Sequence, residues 1–172
     1  MKKITLFLVM AISVMTISCS NDDDSSEPAG PTLTPALLAG TYNLNFYESE
    51  EVIQEEVTGG TATTTISEVG DTFGTSNIVF DANGTYTVNF QYRVTRTTQL
   101  ESNDPVEETE IITNSDTGNY SVNDTNQTLT IDGEAGDVTL FNDSQLRLLF
   151  ESTDVEANGT STFTSELRFA RQ

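Results

Sequence analysis

The sequence predicts an all-β fold: an antiparallel up-and-down meander of about eight to ten short strands closing into a barrel, with one short N-terminal helix. Two observations carry this. Residues 78–94 alternate strictly around a turn, and comparable alternating runs separated by turn residues recur to the end of the chain. In the clearest run Ile78 and Phe80 lead into Asp81-Ala82-Asn83-Gly84. Tyr86, Val88, Phe90, Tyr92 and Val94 then alternate with Thr85, Thr87, Asn89, Gln91 and Arg93. A helix would scatter those aromatic side chains around its circumference, whereas a strand puts them on one face. Closure into a barrel is expected because it removes exposed sheet edges, with a two-sheet sandwich as the alternative.

In chain order, Lys2 and Lys3 precede an apolar run over residues 4–17, too short to span a bilayer as a helix. A charged start, an apolar stretch of this length and small residues before a boundary describe a secretory signal peptide over residues 1–18. Cys19, the one cysteine, follows directly, and behind it stands Ser20-Asn21-Asp22-Asp23-Asp24. Residues 19–31 are polar and acidic and end in Glu27-Pro28-Ala29-Gly30-Pro31, a composition expected for a tether. The folded domain is expected over residues 32–172. Thr34 suits a helix N-cap, Pro35 the first helical position and Gly40 the residue past the end, so one or two helical turns are expected there.

After Gly40 everything reads as strands. Tyr42, Leu44 and Phe46 alternate with Thr41, Asn43 and Asn45. Tyr120 and Val122 precede a turn over residues 123–127, and Leu129 and Ile131 follow. Residues 132–137 read as another turn before Val138 and Leu140. Leu146, Leu148 and Phe150 form the next buried face, and residues 155–159 turn the chain into Phe163, Leu167 and Phe169. Residues 50–73 and 99–116 are rich in Thr and Glu and show no clear alternation, which predicts irregular edges or long protruding hairpins.

Thr16-Ile17-Ser18-Cys19 resembles the lipobox of bacterial lipoproteins, with Thr16 in place of the usual leucine. The resemblance implies cleavage before Cys19, a lipid on its thiol and acylation of the new amino terminus. Asp22, Asp23 and Asp24 resemble the export signal by which Bacteroidota, flavobacteria especially, send lipoproteins to the outer face of the outer membrane. The expected location is therefore the outer membrane, lipid-anchored and facing the exterior, with the periplasmic face as the alternative.

A second resemblance covers residues 34–171. Leu37-Leu38-Ala39-Gly40-Thr41-Tyr42, then Phe80-Asp81-Ala82-Asn83-Gly84-Thr85-Tyr86, then Gly118-Asn119-Tyr120-Ser121-Val122 with Leu129-Thr130-Ile131, resemble in order the motifs of lipocalin-like domains. The closing Glu166-Leu167-Arg168-Phe169-Ala170-Arg171 fits the same pattern. Tyr42 stands where true lipocalins have tryptophan, so the likeness is to bacterial lipocalin-like lipoproteins. It implies that Arg168 or Arg171 packs over Tyr42.

Cleavage at Cys19 leaves 154 of the 172 residues, enough for one domain with a core. Loss of Lys2 and Lys3 takes the formal charge from −20 to −22, leaving five arginines against 27 acids. Such a surface repels phosphate backbones, so no nucleic-acid partner is expected. It also repels anionic headgroups, so the membrane is expected as a partner through the acyl group alone.

The chain has no histidine, and lipidation would consume its one thiol, which removes the commonest general base, nucleophile and soft metal ligand. Asp132, Glu134 and Asp137 cluster at one turn and Asn123, Asp124 and Asn126 at another, but neither has EF-hand spacing, and these residues favour turns on their own account. No catalysis, cofactor or metal is expected. Tyr42, Phe80, Tyr86, Phe90 and Tyr92 are expected to face the barrel interior, as core or as the lining of a site for a small apolar ligand. The expected function is a non-catalytic binding module. The alternatives are an interaction subunit of a surface complex, for example in glycan uptake or adhesion, and, more remotely, a carboxylate-based glycan hydrolase.

Overall fold

In the computed structural model, residues 32–101 and 103–172 are described, so Cys19, Asp22, Asp23 and Asp24 lie outside the described residues. One four-residue helix, α1 (Pro35–Leu38), precedes nine antiparallel strands. These are β1 (Gly40–Val57), β2 (Gly60–Asp71), β3 (Asn77–Phe80), β4 (Thr85–Leu100), β5 (Val106–Asn123), β6 (Thr128–Ile131), β7 (Glu134–Phe141), β8 (Gln145–Glu156) and β9 (Gly159–Arg171). They form one sheet that rings around, because β1 pairs with β9 on one side and with β2 and β3 on the other.

Two levels follow from the register. At the base, Gly40 to Asn43 of β1 pair with β3, and β3 pairs with the start of β4. The ring then runs through β5, β6, β7, β8 and β9 back to β1. Further along, β2 takes the place of β3 between β1 and β4, from Glu48↔Val69 on one side and Asp71↔Arg93 on the other. The strands β6 and β7 are short, reaching only Tyr120–Asn123 of β5 and Leu146–Leu149 of β8. Above them, residues 106–118 of β5 and 150–156 of β8 each have a strand neighbour on one side only. A closed ring at the base thus opens upward into a six-stranded trough with a notch between β5 and β8. From Gly40 to the tip at Val57, β1 alone extends about 55 Å.

Ser76 closes the seam where β2 gives way to β3. It is 1% exposed. Its hydroxyl donates to the Gln91 carbonyl at 2.8 Å and accepts the Gln91 N–H at 2.8 Å, while its carbonyl accepts the Leu44 N–H at 2.9 Å. Ser76→Ala leaves two part-buried backbone groups of Gln91 without their Ser76 partner, and a loss of about 1 kcal/mol is expected. Denaturant unfolding checks this: an unchanged midpoint would mean that the seam finds other partners.

The base is filled by side chains. Tyr42, Leu44, Ile78, Phe80, Val88, Leu129, Leu146, Leu148 and Phe169 are all buried, with Leu33 and Leu38 beneath them. Phe80 meets Tyr42 and Tyr120 edge to face, at centroid distances of 5.8 and 4.9 Å. Thr34 caps α1 as its sequence suggests, its side chain accepting the Leu37 N–H. Hydrogen bonds tie the plug down: Tyr42 Oη donates to the Leu38 carbonyl at 2.9 Å, and Leu33 N–H donates to Asp124 Oδ1 at 2.7 Å.

Of the two readings of residues 50–73 and 99–116, the structure shows the long protruding hairpins, which extend beyond the closed ring. They lack alternation because both faces of the trough wall meet solvent, so no apolar face is required. Two other local expectations need correction. The turn expected over residues 132–137 is confined to Asp132 and Gly133, since Glu134 and Ala135 already pair with Ile131 and Thr130. Phe46 does not share a face with Tyr42 and Leu44. The β1–β9 register shifts between Leu44 and Phe46, and this bulge turns Phe46 outward and Tyr47 inward.

Candidate functional site

The notch floor is the β6–β7 turn. Asp132 takes a left-handed backbone, φ 49°, and its carboxylate folds back over Gly118. A Cβ on Gly118 would lie 2.2 Å from that carboxylate, so a side chain there would push Asp132 out of this position. Asp132 accepts the Tyr86 hydroxyl at 2.5 Å and the Asn119 N–H at 3.1 Å. Burial first, then this carboxylate, pushes the Tyr86 phenol up to about 12. Tyr86 therefore ties the core to the floor of the notch.

Beside that floor lies an open recess of about 420 Å³. Ile131, Phe150 and Phe163 give it an apolar wall, and Asp132, Glu134 and Glu151 stand at its polar rim. Gly136 leaves space for the Phe150 ring of this wall: a Cβ there would come within 2.7 Å of it. The volume falls within the range of small-molecule sites, about 300–1,000 Å³.

Further along the trough floor a polar network crosses three strands. Glu68 lies opposite Ser49 on β1's neighbouring register and opposite Arg96 on β4. Tyr47 Oη donates to Glu68 Oε2 at 2.9 Å, and Arg96 Nε donates to Glu68 Oε1 at 2.8 Å. Burial chiefly pushes the Tyr47 phenol up to about 12. Sequence reasoning missed Tyr47, Ser49 and Glu68, because the bulge in β1 inverts the alternation on which a face is read.

The aromatic residues expected inside are placed as follows. Tyr42 and Phe80 lie in the packed base. Phe90 and Tyr92 join an aromatic cluster with Tyr47 and Phe73. Of the five, Tyr86 alone is among the residues lining the recess. Of the two arginines considered for Tyr42, Arg171 is the one over its ring, 5.5 Å from the centroid, and it donates to the Ala39 carbonyl at 2.6 Å. Arg168 lies over Phe46 instead, at 4.0 Å, on the outer face.

Among the described residues, two acids are displaced from the ordinary carboxylate range, and both are held low by arginines: Asp71 by Arg93 and Glu166 by Arg168. A glycosidase acid needs the opposite displacement. Among the described residues, no group of three or more acids is arranged to hold a metal ion, and no helix is long and apolar enough to cross a membrane. No protein-family model, curated protein or solved structure matches the chain.

Proposed function

We propose that the chain is a lipid-anchored lipoprotein of the outer cell surface, of lipocalin-like build, which binds a small apolar ligand without transforming it. The recess beside Phe150 and Phe163 carries this reading: it offers apolar walls, a polar rim and an open approach, whereas the closed base is occupied by its own side chains. The lipobox at Cys19 and the acids Asp22, Asp23 and Asp24 support the location. The path of the chain supports the orientation. It enters the fold at the base, through Leu33, so the trough opens away from the anchored end.

A neutral solvatochromic dye tests the site, since anionic dyes are repelled by the chain's charge. With the unlipidated chain lacking residues 1–18, the dye is expected to bind with blue-shifted emission. Ser152→Trp, at an exposed position on the recess, is expected to abolish that signal while leaving the unfolding midpoint unchanged. Dye binding that is indifferent to Ser152→Trp would remove the recess from the reading.

A further inference from the structure

We propose that the free edge of β5, residues 106–118, takes an extended, basic segment of a partner protein as an added strand. One side of this stretch is fully engaged in a regular ladder with β4, from Val106↔Thr98 to Asn119↔Thr85. The other side has no strand neighbour until Tyr120 meets β6. A long, regular edge of this kind presents a row of backbone donors and acceptors that an incoming strand can pair. There is room for it: at the base two strands, β6 and β7, fill the interval between β5 and β8, and each strand occupies about 4.8 Å.

Charge names the partner. Glu107, Glu108, Glu110 and Asp116 are all exposed on this stretch. None of them is in a salt bridge among the described residues: Arg96, across the ladder from Glu108, is felt by Glu108 and Glu110 but bonds Glu68, and the other arginines are engaged elsewhere. Arg93 holds Asp71, Arg96 holds Glu68, and Arg147 and Arg168 share Glu166. Arg171 is spent on the Ala39 carbonyl and the Tyr42 ring. The acids of β5 therefore outnumber the one cation near them, which is itself bonded to Glu68, and lysine or arginine on an added strand would supply more. The same acids oppose a second copy, whose β5 would bring like charges face to face across the new ladder. Val106 and Ile111, 57% and 60% exposed and on opposite faces of β5, add one apolar contact to each face of the incoming strand. The edge borders the same notch as the recess but shares no lining residue with it, since those come from β4, β6, β7, β8, β9 and the β6–β7 turn. Failure of either site thus leaves the other in place.

The test uses the full chain in nanodiscs of neutral phospholipid, with empty nanodiscs as control. The probe is a peptide of about ten residues alternating lysine with threonine and valine. A second probe has the same sequence with alternate amides N-methylated, which keeps the charge and removes strand pairing. The unmodified peptide is expected to bind about tenfold more tightly than the methylated one, and to slow amide exchange along residues 106–118. Glu107→Lys with Glu110→Lys is expected to weaken it by a similar factor. Equal binding of both peptides would reduce the effect to nonspecific charge attraction and overturn strand addition. Protection confined to residues 150–156 would place the strand on β8 instead and overturn the assignment to β5. Self-association of the chain without peptide would replace the basic partner by a second copy.

Discussion

Between about pH 6 and pH 9 the folding stability is expected to be flat, and above about pH 10 it is expected to fall steeply. The plateau follows from composition. The chain has no histidine, its two lysines, Lys2 and Lys3, lie outside the described residues, and arginine stays charged far above this range. The fall follows from the tyrosines. All five, Tyr42, Tyr47, Tyr86, Tyr92 and Tyr120, have phenols pushed above their ordinary value, in each case chiefly by burial. For Tyr47 and Tyr86 the displacement reaches about 12. A phenol held protonated by the fold stabilises the native state fully below its unfolded value near 10. That contribution is lost as pH rises toward the folded value, because the unfolded chain releases its proton first. Five such groups acting together in a chain of net charge −20 make the loss cooperative. Denaturant midpoints measured from pH 6 to pH 12, with phenolate absorbance followed in parallel, check it. Phenols that ionise near pH 10 in a chain that stays folded would sink the idea. Tyr86→Phe is expected to remove that residue's share of the alkaline slope.

The all-β meander, the short capped helix and the 78–94 hairpin were legible because each serves a buried face or a defined turn. Ile78, Phe80, Tyr86, Val88 and Tyr92 must all meet the core, and a period of two is the pattern that a half-buried strand imposes. The trough wall gave no such signal. Its strands, as in Glu107-Glu108-Thr109-Glu110, are wetted on both faces, so their pairing rests on ladder continuity with β4. The bulge after Leu44 was equally silent, since an extra residue changes no composition while it exchanges Phe46 for Tyr47 on the inner face. For the same reason the Tyr47–Glu68–Arg96 network could not be read: its members lie far apart in sequence and meet through registers fixed only in the folded sheet. The Asp132–Tyr86 bond depends on Gly118, whose role appears only once β4, β5 and the β6–β7 turn are stacked.

Cys19→Ala is expected to move the protein almost completely from the membrane fraction to the soluble fraction while leaving its unfolding midpoint unchanged. The two halves of that expectation have separate causes. Each buried methylene of an acyl chain contributes about 0.8 kcal/mol, so one chain holds a protein marginally and two or more hold it stably. All of those chains would sit on Cys19 in the proposed lipoprotein, and loss of its thiol would prevent the first lipid and the processing that would follow. The described surface offers little to replace them: four arginines already lie in ion pairs, and the net charge repels anionic headgroups. The fold, by contrast, closes from Leu33 onward, through its bond to Asp124 and the packing of Leu38 under Tyr42. The intervening residues 20–31 could span at most about 40 Å, which would set the distance over which an anchored base could leave the bilayer. Membrane fractionation with and without the substitution decides it. A Cys19→Ala protein that still sediments with membranes would refute the lipid anchor. It would direct attention to the hairpin tips, where Val57, Leu100, Val106 and Val155 stand exposed.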